Sequence, residues 1–212
     1  MAYDLEEQES LDQLKAWWEK WGNLTLSCIT VGCLGFAAWN GWNWYERNQG
    51  AKATVAYVQL QNAYVQNDAK NMKSLADGLM KEYPRHVFAS LAALMKATSE
   101  LEAGNRDAAR AALEWVLNEA KRPEYKAVAT VRLAGLELDA GNVDKALTLV
   151  RSIKAPEADS AMVLDRLGDV LLAKGEVENA RAAWKRAMEV DTEGALSALV
   201  NLKLQALPEP KV

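Results

Sequence analysis

Few side chains in this sequence could do chemistry. Among 212 residues there is one histidine, His86, and two cysteines, Cys28 and Cys33. A catalytic imidazole needs a nucleophile or carboxylate held beside it. His86 follows Tyr83-Pro84 at a predicted helix start, with no such partner at a useful spacing, and reads as a surface or capping residue. Asp165 and Asp169 lie one helical turn apart, a spacing at which two carboxylates can share a cation. With no His or Cys nearby, they read as a solvated face paired with Arg166. Cys28 and Cys33 are five residues apart and do not share a helical face; two cysteines make neither a disulfide framework nor a four-cysteine zinc site. Gly32 and Gly35 fall inside an apolar run, not between a strand and a helix, so they form no phosphate-cradling loop. The expectation is a protein with no catalytic residue, no metal and no cofactor.

Composition narrows the fold. Half the residues are apolar, 25% are charged and the formal net charge is −4. That is too apolar for a disordered chain and lacks the basic excess of a nucleic-acid binder. Thirty-six Ala against two Ile favour helix over sheet. The sequence predicts an all-α protein.

The first part of the chain stands apart. Six of the eight Trp precede residue 45: Trp17, Trp18, Trp21, Trp39, Trp42 and Trp44. No charged residue occurs among the 25 from Trp21 to Tyr45. A helix rising 1.5 Å per residue separates Trp21 from Trp42 by about 31 Å, the thickness of a hydrocarbon core. Trp rings favour the two membrane interfaces. Residues 21–45 are therefore read as one transmembrane helix in membrane lipid, with an aromatic belt at each end. A cleaved signal peptide would need a basic lead, whereas residues 1–20 hold six acids and two bases. Positive charge gives no orientation, since Lys15 and Lys20 balance Arg47 and Lys52. Within the span, Cys33, Ala37 and Gly41 form a row of small residues that would let another helix approach closely. The helix is expected to run on past Tyr45 into 49–66, with a break near Gly50.

The remainder, 46–212, repeats itself. AGNRDAARAALEWVL (103–117), AGNVDKALTLVRSI (140–153) and KGEVENARAAWKRAM (174–188) align on Gly104, Gly141 and Gly175, spaced by 37 and 34 residues. Ala109, Ala146 and Ala180 follow five residues on, and Leu113, Val150 and Trp184 nine residues on. Gly tolerates the left-handed conformation that stops a helix. A small residue suits the crossing of two paired helices, and prolines (Pro84, Pro123, Pro156) are placed where second helices end. Three degenerate helix pairs are expected, roughly at 86–122, 124–155 and 157–190. A leading pair at 49–66 and 69–82 and a capping helix over 193–207 flank them. Such an array resembles the tetratricopeptide repeat, with Leu167-Gly168 and Gly175–Ala180–Trp184–Ala187 matching its spacing best. In that register the first helix of each repeat turns Leu91, Leu94 and Leu101, then Val128, Val131 and Leu138, then Met162, Asp165, Asp169 and Leu172, toward a groove. A groove of this kind accepts an extended or helical segment of another protein.

The order of parts (acidic tail, one span, degenerate array) resembles the YfgM family of bacterial inner-membrane proteins. So do Ala89-Ser90-Leu91-Ala92, the Lys174–Trp184 block and Ala195-Leu196-Ser197. The resemblance implies an ancillary subunit of the SecYEG translocon with a cytoplasmic tail (1–20) and a periplasmic repeat domain. It implies partnership with a PpiD-like periplasmic chaperone and with nascent secretory or membrane proteins; no nucleic-acid partner is expected from the charge balance. It also implies a link to negative regulation of an RcsB-type envelope stress response. A scaffold for envelope or cytochrome assembly is the remaining alternative.

Overall fold

A computed structural model describes residues 2–208, with side chains from residue 9 onward. The side chains of the tail acids Asp4, Glu6 and Glu7, and residues 209–212, lie outside what is described. All regular structure among the described residues is helical. The chain divides into two compact units, Met1–Ala51 and Lys52–Val212.

Helix α1 (Ala2–Val65) supplies the first unit and the start of the second. It is continuous, so the expected break at Gly50 is absent. A single glycine costs a helix interior only about 1 kcal/mol, too little to interrupt helix that is favourable on both sides. Hydroxyls in the apolar stretch fold back onto the carbonyl four residues earlier: Thr25 Oγ1 donates to Trp21 O at 3.0 Å, Ser27 Oγ to Asn23 O at 2.7 Å and Thr30 Oγ1 to Leu26 O at 2.8 Å. Self-bonding of this sort leaves no unsatisfied hydroxyl to face lipid. Only 6% of the most apolar 18-residue window of this helix is buried against protein. A core helix of a soluble domain would be mostly covered. Among the described residues, α1 is the one helix long and apolar enough to cross a membrane.

The second unit stacks helix pairs. The end of α1 pairs with α2 (Ala69–Glu82), α3 (Val87–Glu102) with α4 (Arg106–Glu119), α5 (Pro123–Asp139) with α6 (Val143–Ser152), and α7 (Ala161–Ala173) with α8 (Val177–Val190). Helix α9 (Ser197–Gln205) closes the array. Leu60, Ala76, Leu79 and Ala92 knit the leading pair to α3. Ala97, Leu113, Val116 and Leu133 join the next two repeats; Ala146, Val150, Val170, Trp184 and Val200 join the last two to α9. The alanines at the helix crossings, Ala109, Ala146 and Ala180, are fully buried. Two boundaries differ from the sequence reading. Pro123 opens α5 rather than following a helix, because its missing N–H is not needed in a first turn. The capping helix begins at Ser197, not 193: Gly194 turns the backbone through φ +70°, and Asp191 Oδ2 accepts from Leu196 N at 2.8 Å and from Ser197 Oγ at 3.1 Å.

The first helix of each of the last three pairs ends on a glycine with φ near +80°: Gly104 at +80°, Gly141 at +80° and Gly175 at +85°. The same two hydrogen bonds close all three turns. The glycine N–H donates three residues back (Leu101, Leu138 or Leu172), and the next N–H donates to the carbonyl of Glu100, Glu137 or Leu171. In the first two turns that glutamate is itself buried. Glu137 accepts from Lys145 Nζ at 2.8 Å, from Asn142 Nδ2 at 2.8 Å and from Arg110; Glu100 accepts from Lys73 Nζ at 2.7 Å and Asn105 Nδ2 at 2.9 Å. One carboxylate thus ties the turn, the second helix and the preceding repeat. The hydrogen bonds from Lys145 and Asn142, aided by Arg110, hold the Glu137 carboxyl down at about 2 against an ordinary 4.5.

In the last repeat Gly168 lets Trp184 lie flush on α7. A Cβ on Gly168 would sit 2.3 Å from the indole Nε1, which donates to Asp165 O at 3.1 Å. Burying an indole removes roughly 200 Å² from water, worth about 5 kcal/mol at most.

Two outcomes follow for the full-length chain in detergent. Gly168→Ala forces Trp184 out of its seat and lowers stability by about 2–3 kcal/mol, read as a lower midpoint in urea. For Glu137 the folded carboxyl binds its proton less readily than the unfolded one. Its stabilisation is complete above pH 4.5 and is lost as pH falls toward 2. Glu137→Gln should therefore lower the thermal midpoint at neutral pH and flatten its decline between these limits.

Candidate functional site

The first helices of successive repeats, α3, α5 and α7, lie side by side. These three helices carry the ten residues expected to line a groove. The structure divides them. Leu94 and Val131 are buried in packing between helices. Leu101 and Val128 lean half-buried on the cluster around Leu113; Leu138 and Met162 lean on the one around Trp184. Leu91 is half-buried, and Leu172 at 39% is the most exposed of the set. The apolar edges of this side are accessible, while its floor is filled.

Asp165 and Asp169 are not a solvated face. Asp165 is buried, Asp169 is half-buried, and both are gripped by Lys203 of α9, whose Nζ lies 2.6 Å from Asp165 Oδ1 and 2.7 Å from Asp169 Oδ1. Arg166 adds a contact to Asp169 at 3.2 Å, as its sequence position promised. Lys203 also lies over the Trp184 ring, 5.6 Å from its centroid. Burial pushes the Asp169 carboxyl above the usual aspartate value, with Lys203 pulling it back. The helix predicted only to cover an open end therefore supplies the cation that its acids require.

Two arginines complete this side, Arg132, absent from the sequence reading, and Arg166, named there only as a partner of the two aspartates. Arg132 Nη1 donates to Leu94 O at 3.0 Å and to Thr98 Oγ1 at 2.9 Å, clamping α5 to α3. Arg166 of α7 lies over Gly135 of α5, where a Cβ would meet its guanidinium at 3.4 Å. Arg132 and Arg166 are 34 residues apart, one repeat length, and that spacing was the available signal. Burial lowers the Arg132 pKa from its ordinary value. The inner side is a polar ladder flanked by apolar edges. It carries no nucleophile beside a base, and no three His, Cys, Asp or Glu cluster for a metal among the described residues.

His86 is the N-cap of α3, its Nδ1 accepting from Phe88 N at 3.4 Å. In α1, Trp17, Trp18, Trp21, Trp39, Trp42 and Trp44 are all exposed, three toward each end of the apolar stretch. Cys33, Ala37 and Gly41 are exposed on one face, and a Cβ at Gly41 would meet nothing within 4 Å.

Lys203→Met leaves two carboxylates half-buried without their cation. It should cost about 2 kcal/mol, below the value for a fully buried pair because these groups keep some solvent. Adding Asp165→Asn and Asp169→Asn should recover part of that loss, measured by urea denaturation of the full-length chain.

Comparison with known proteins bears on both parts of the molecule. Residues 15–209 match the model of the tetratricopeptide repeat-like domain family. The chain is 30% identical over 208 residues to a protein of Aggregatibacter actinomycetemcomitans named ancillary SecYEG translocon subunit, covering 98% of this chain and all of that one. Proteins of the same name from Neisseria gonorrhoeae (29% identical; 98% and 100% covered) and Escherichia coli (25%; 95% and 96%) are similar over comparable lengths. Span and repeats together, the chain belongs to the YfgM family of ancillary SecYEG translocon subunits.

Proposed function

We propose that this chain is a membrane-tethered, non-catalytic adaptor of the SecYEG translocon, with residues 1–20 in the cytoplasm and the repeat domain in the periplasm. The observation that carries the reading is similarity to proteins named as translocon subunits along nearly the whole chain, including the apolar stretch. In this reading α1 brings Cys33, Ala37 and Gly41 against a helix of the channel, because small residues let two backbones approach closely in lipid. The accessible edges at Leu91, Leu101, Val128, Leu138, Met162 and Leu172 receive a PpiD-like chaperone or an emerging chain. Tethering confines the domain beside the channel exit and raises its effective concentration there.

The test is site-specific photocrosslinking in native membranes. A crosslinker at Gly41 should capture a translocon subunit, and one at Leu138 or Leu172 a periplasmic chaperone or nascent chain. Absence of the channel at Gly41 with capture at the repeats would leave a soluble-side partner without the Sec assignment. Absence at every position would end the adaptor reading.

The acid excess of residues 1–20 supports a second reading, a tail that holds a basic signalling protein. Neutralising Glu6, Glu7 and Glu9 should then alter envelope stress signalling and leave secretion unchanged.

A further inference from the structure

The outer face of α1 beyond the apolar stretch is bare. Ala53, Leu60 and Ala63 turn inward and are buried against α2 and α3. On the opposite side of the helix Val55, Val58, Asn62 and Val65 are exposed, the three valines at 60%, 48% and 79%. The other end of the array differs, since α9 packs Val200 against the last pair.

These four residues are spaced by 3, 4 and 3, the pattern of a heptad with Val55 and Asn62 at a and Val58 and Val65 at d. Counted back in the sequence, the same phase gives Ala51 at d and Asn48 at a. The flanking e and g positions are Thr54, Gln59, Gln61 and Gln66. No charged residue occurs from 53 to 67, although this stretch lies beyond the run read as the span. Arg47 and Lys52 stand before it and Asp68 after it. A helix face in water ordinarily carries charge. This one combines valine with neutral amides.

The chemistry of the face selects its occupant. A face without charge offers nothing to a partner recognised by charge, and it sets up no repulsion against its own copy. An Asn side chain is both donor and acceptor, so Asn62 is completed by Asn62 across a two-fold axis. An Asn at a fixes register and strand number, and a β-branched residue at the neighbouring a, Val55, favours two strands. Copies inserted in one membrane share one orientation, so identical faces meet in parallel. So short a segment would not hold a coiled coil in water by itself. Here packing against α2 and α3 has already formed the helix, and the shared membrane raises the effective concentration.

We infer that this face pairs with the same face of a second copy, as a parallel two-stranded coiled coil in register about Asn62. The pairing depends on the membrane span and not on the translocon reading.

Cysteine crosslinking in native membranes tests it. Two differently tagged full-length copies carry Cys28→Ala and Cys33→Ala, so that only the introduced thiol reacts. Under mild oxidation Val58→Cys and Val65→Cys should each give a disulfide-linked dimer holding both tags. Tyr64→Cys, exposed but off this face, should give about tenfold less, because a disulfide needs its two Cα atoms within about 7 Å. Asn62→Asp sets two carboxylates face to face and should lower the Val58→Cys dimer about tenfold. Helical content by circular dichroism should stay unchanged, since Asn62 is exposed. A dimer formed equally well at Tyr64, or one unaffected by Asn62→Asp, reports collision and overturns the pairing. No band holding both tags at Val58 or Val65 overturns it as well. A photocrosslinker at Val55 then identifies the occupant. Capture of the differently tagged copy supports the pairing; capture of another protein alone gives the face to that protein and overturns it.

Discussion

Three backbone reversals at left-handed glycines govern the architecture of the repeat domain. Gly104, Gly141 and Gly175 each take φ near +80°, a conformation that costs a residue with a Cβ about 1–2 kcal/mol. Each reversal sends the second helix back along the first, so that a pair presents one apolar face. No pair can bury that face alone, and stacking follows from that need. The bulky residue nine positions after each glycine (Leu113, Val150, Trp184) points into the joint with the neighbouring helices. The buried glutamates turn the same reversals into ties. Glu100 and Glu137 sit where the helix end leaves carbonyls exposed, and each draws in an asparagine from the turn and a lysine from a neighbouring helix. A buried carboxylate is tolerable only with such a set of donors.

The last repeat solves the same problem by other means. Its turn has Leu171 where the others have glutamate, and Trp184 fills the space between α7 and α8. Gly168 makes that possible by removing every atom the indole would strike. Helix α9 then completes the end, with Val200 buried and Lys203 placed between two aspartates. In this repeat a tryptophan and a lysine take the place of the carboxylate network.

Function in this molecule divides between two solvents. In α1 the hydroxyls of Thr25, Ser27 and Thr30 are satisfied within the helix and the apolar side chains are left bare, an arrangement suited to lipid. In the repeat domain the reverse holds, with alanine-rich interiors and charged exteriors. On the side formed by the first helices, Arg132 of α5 bonds to Leu94 O and Thr98 Oγ1 of α3 and ties these two helices together. A rigid, pre-formed surface loses little entropy on binding, an advantage for an adaptor.

The span, the three repeats and the helix stops were legible in the sequence because each rests on a local property: charge-free length, glycine spacing, and alanine where helices cross. His86 as a cap was legible for the same reason. The continuity of α1 through Gly50 was not, since the helix on both sides outweighs one weak residue. Nor was the fate of Asp165 and Asp169, whose partner Lys203 lies 38 and 34 residues away on another helix. The bonds of Arg132 to Leu94 and Thr98 also depend on segments distant in the chain. Sequence by itself determined which helices form and where they stop, because those are decided by neighbours one to five residues apart. Only the tertiary structure decided which charges are paired, which apolar residues remain accessible and where cations converge, because stacking the repeats chooses the partners.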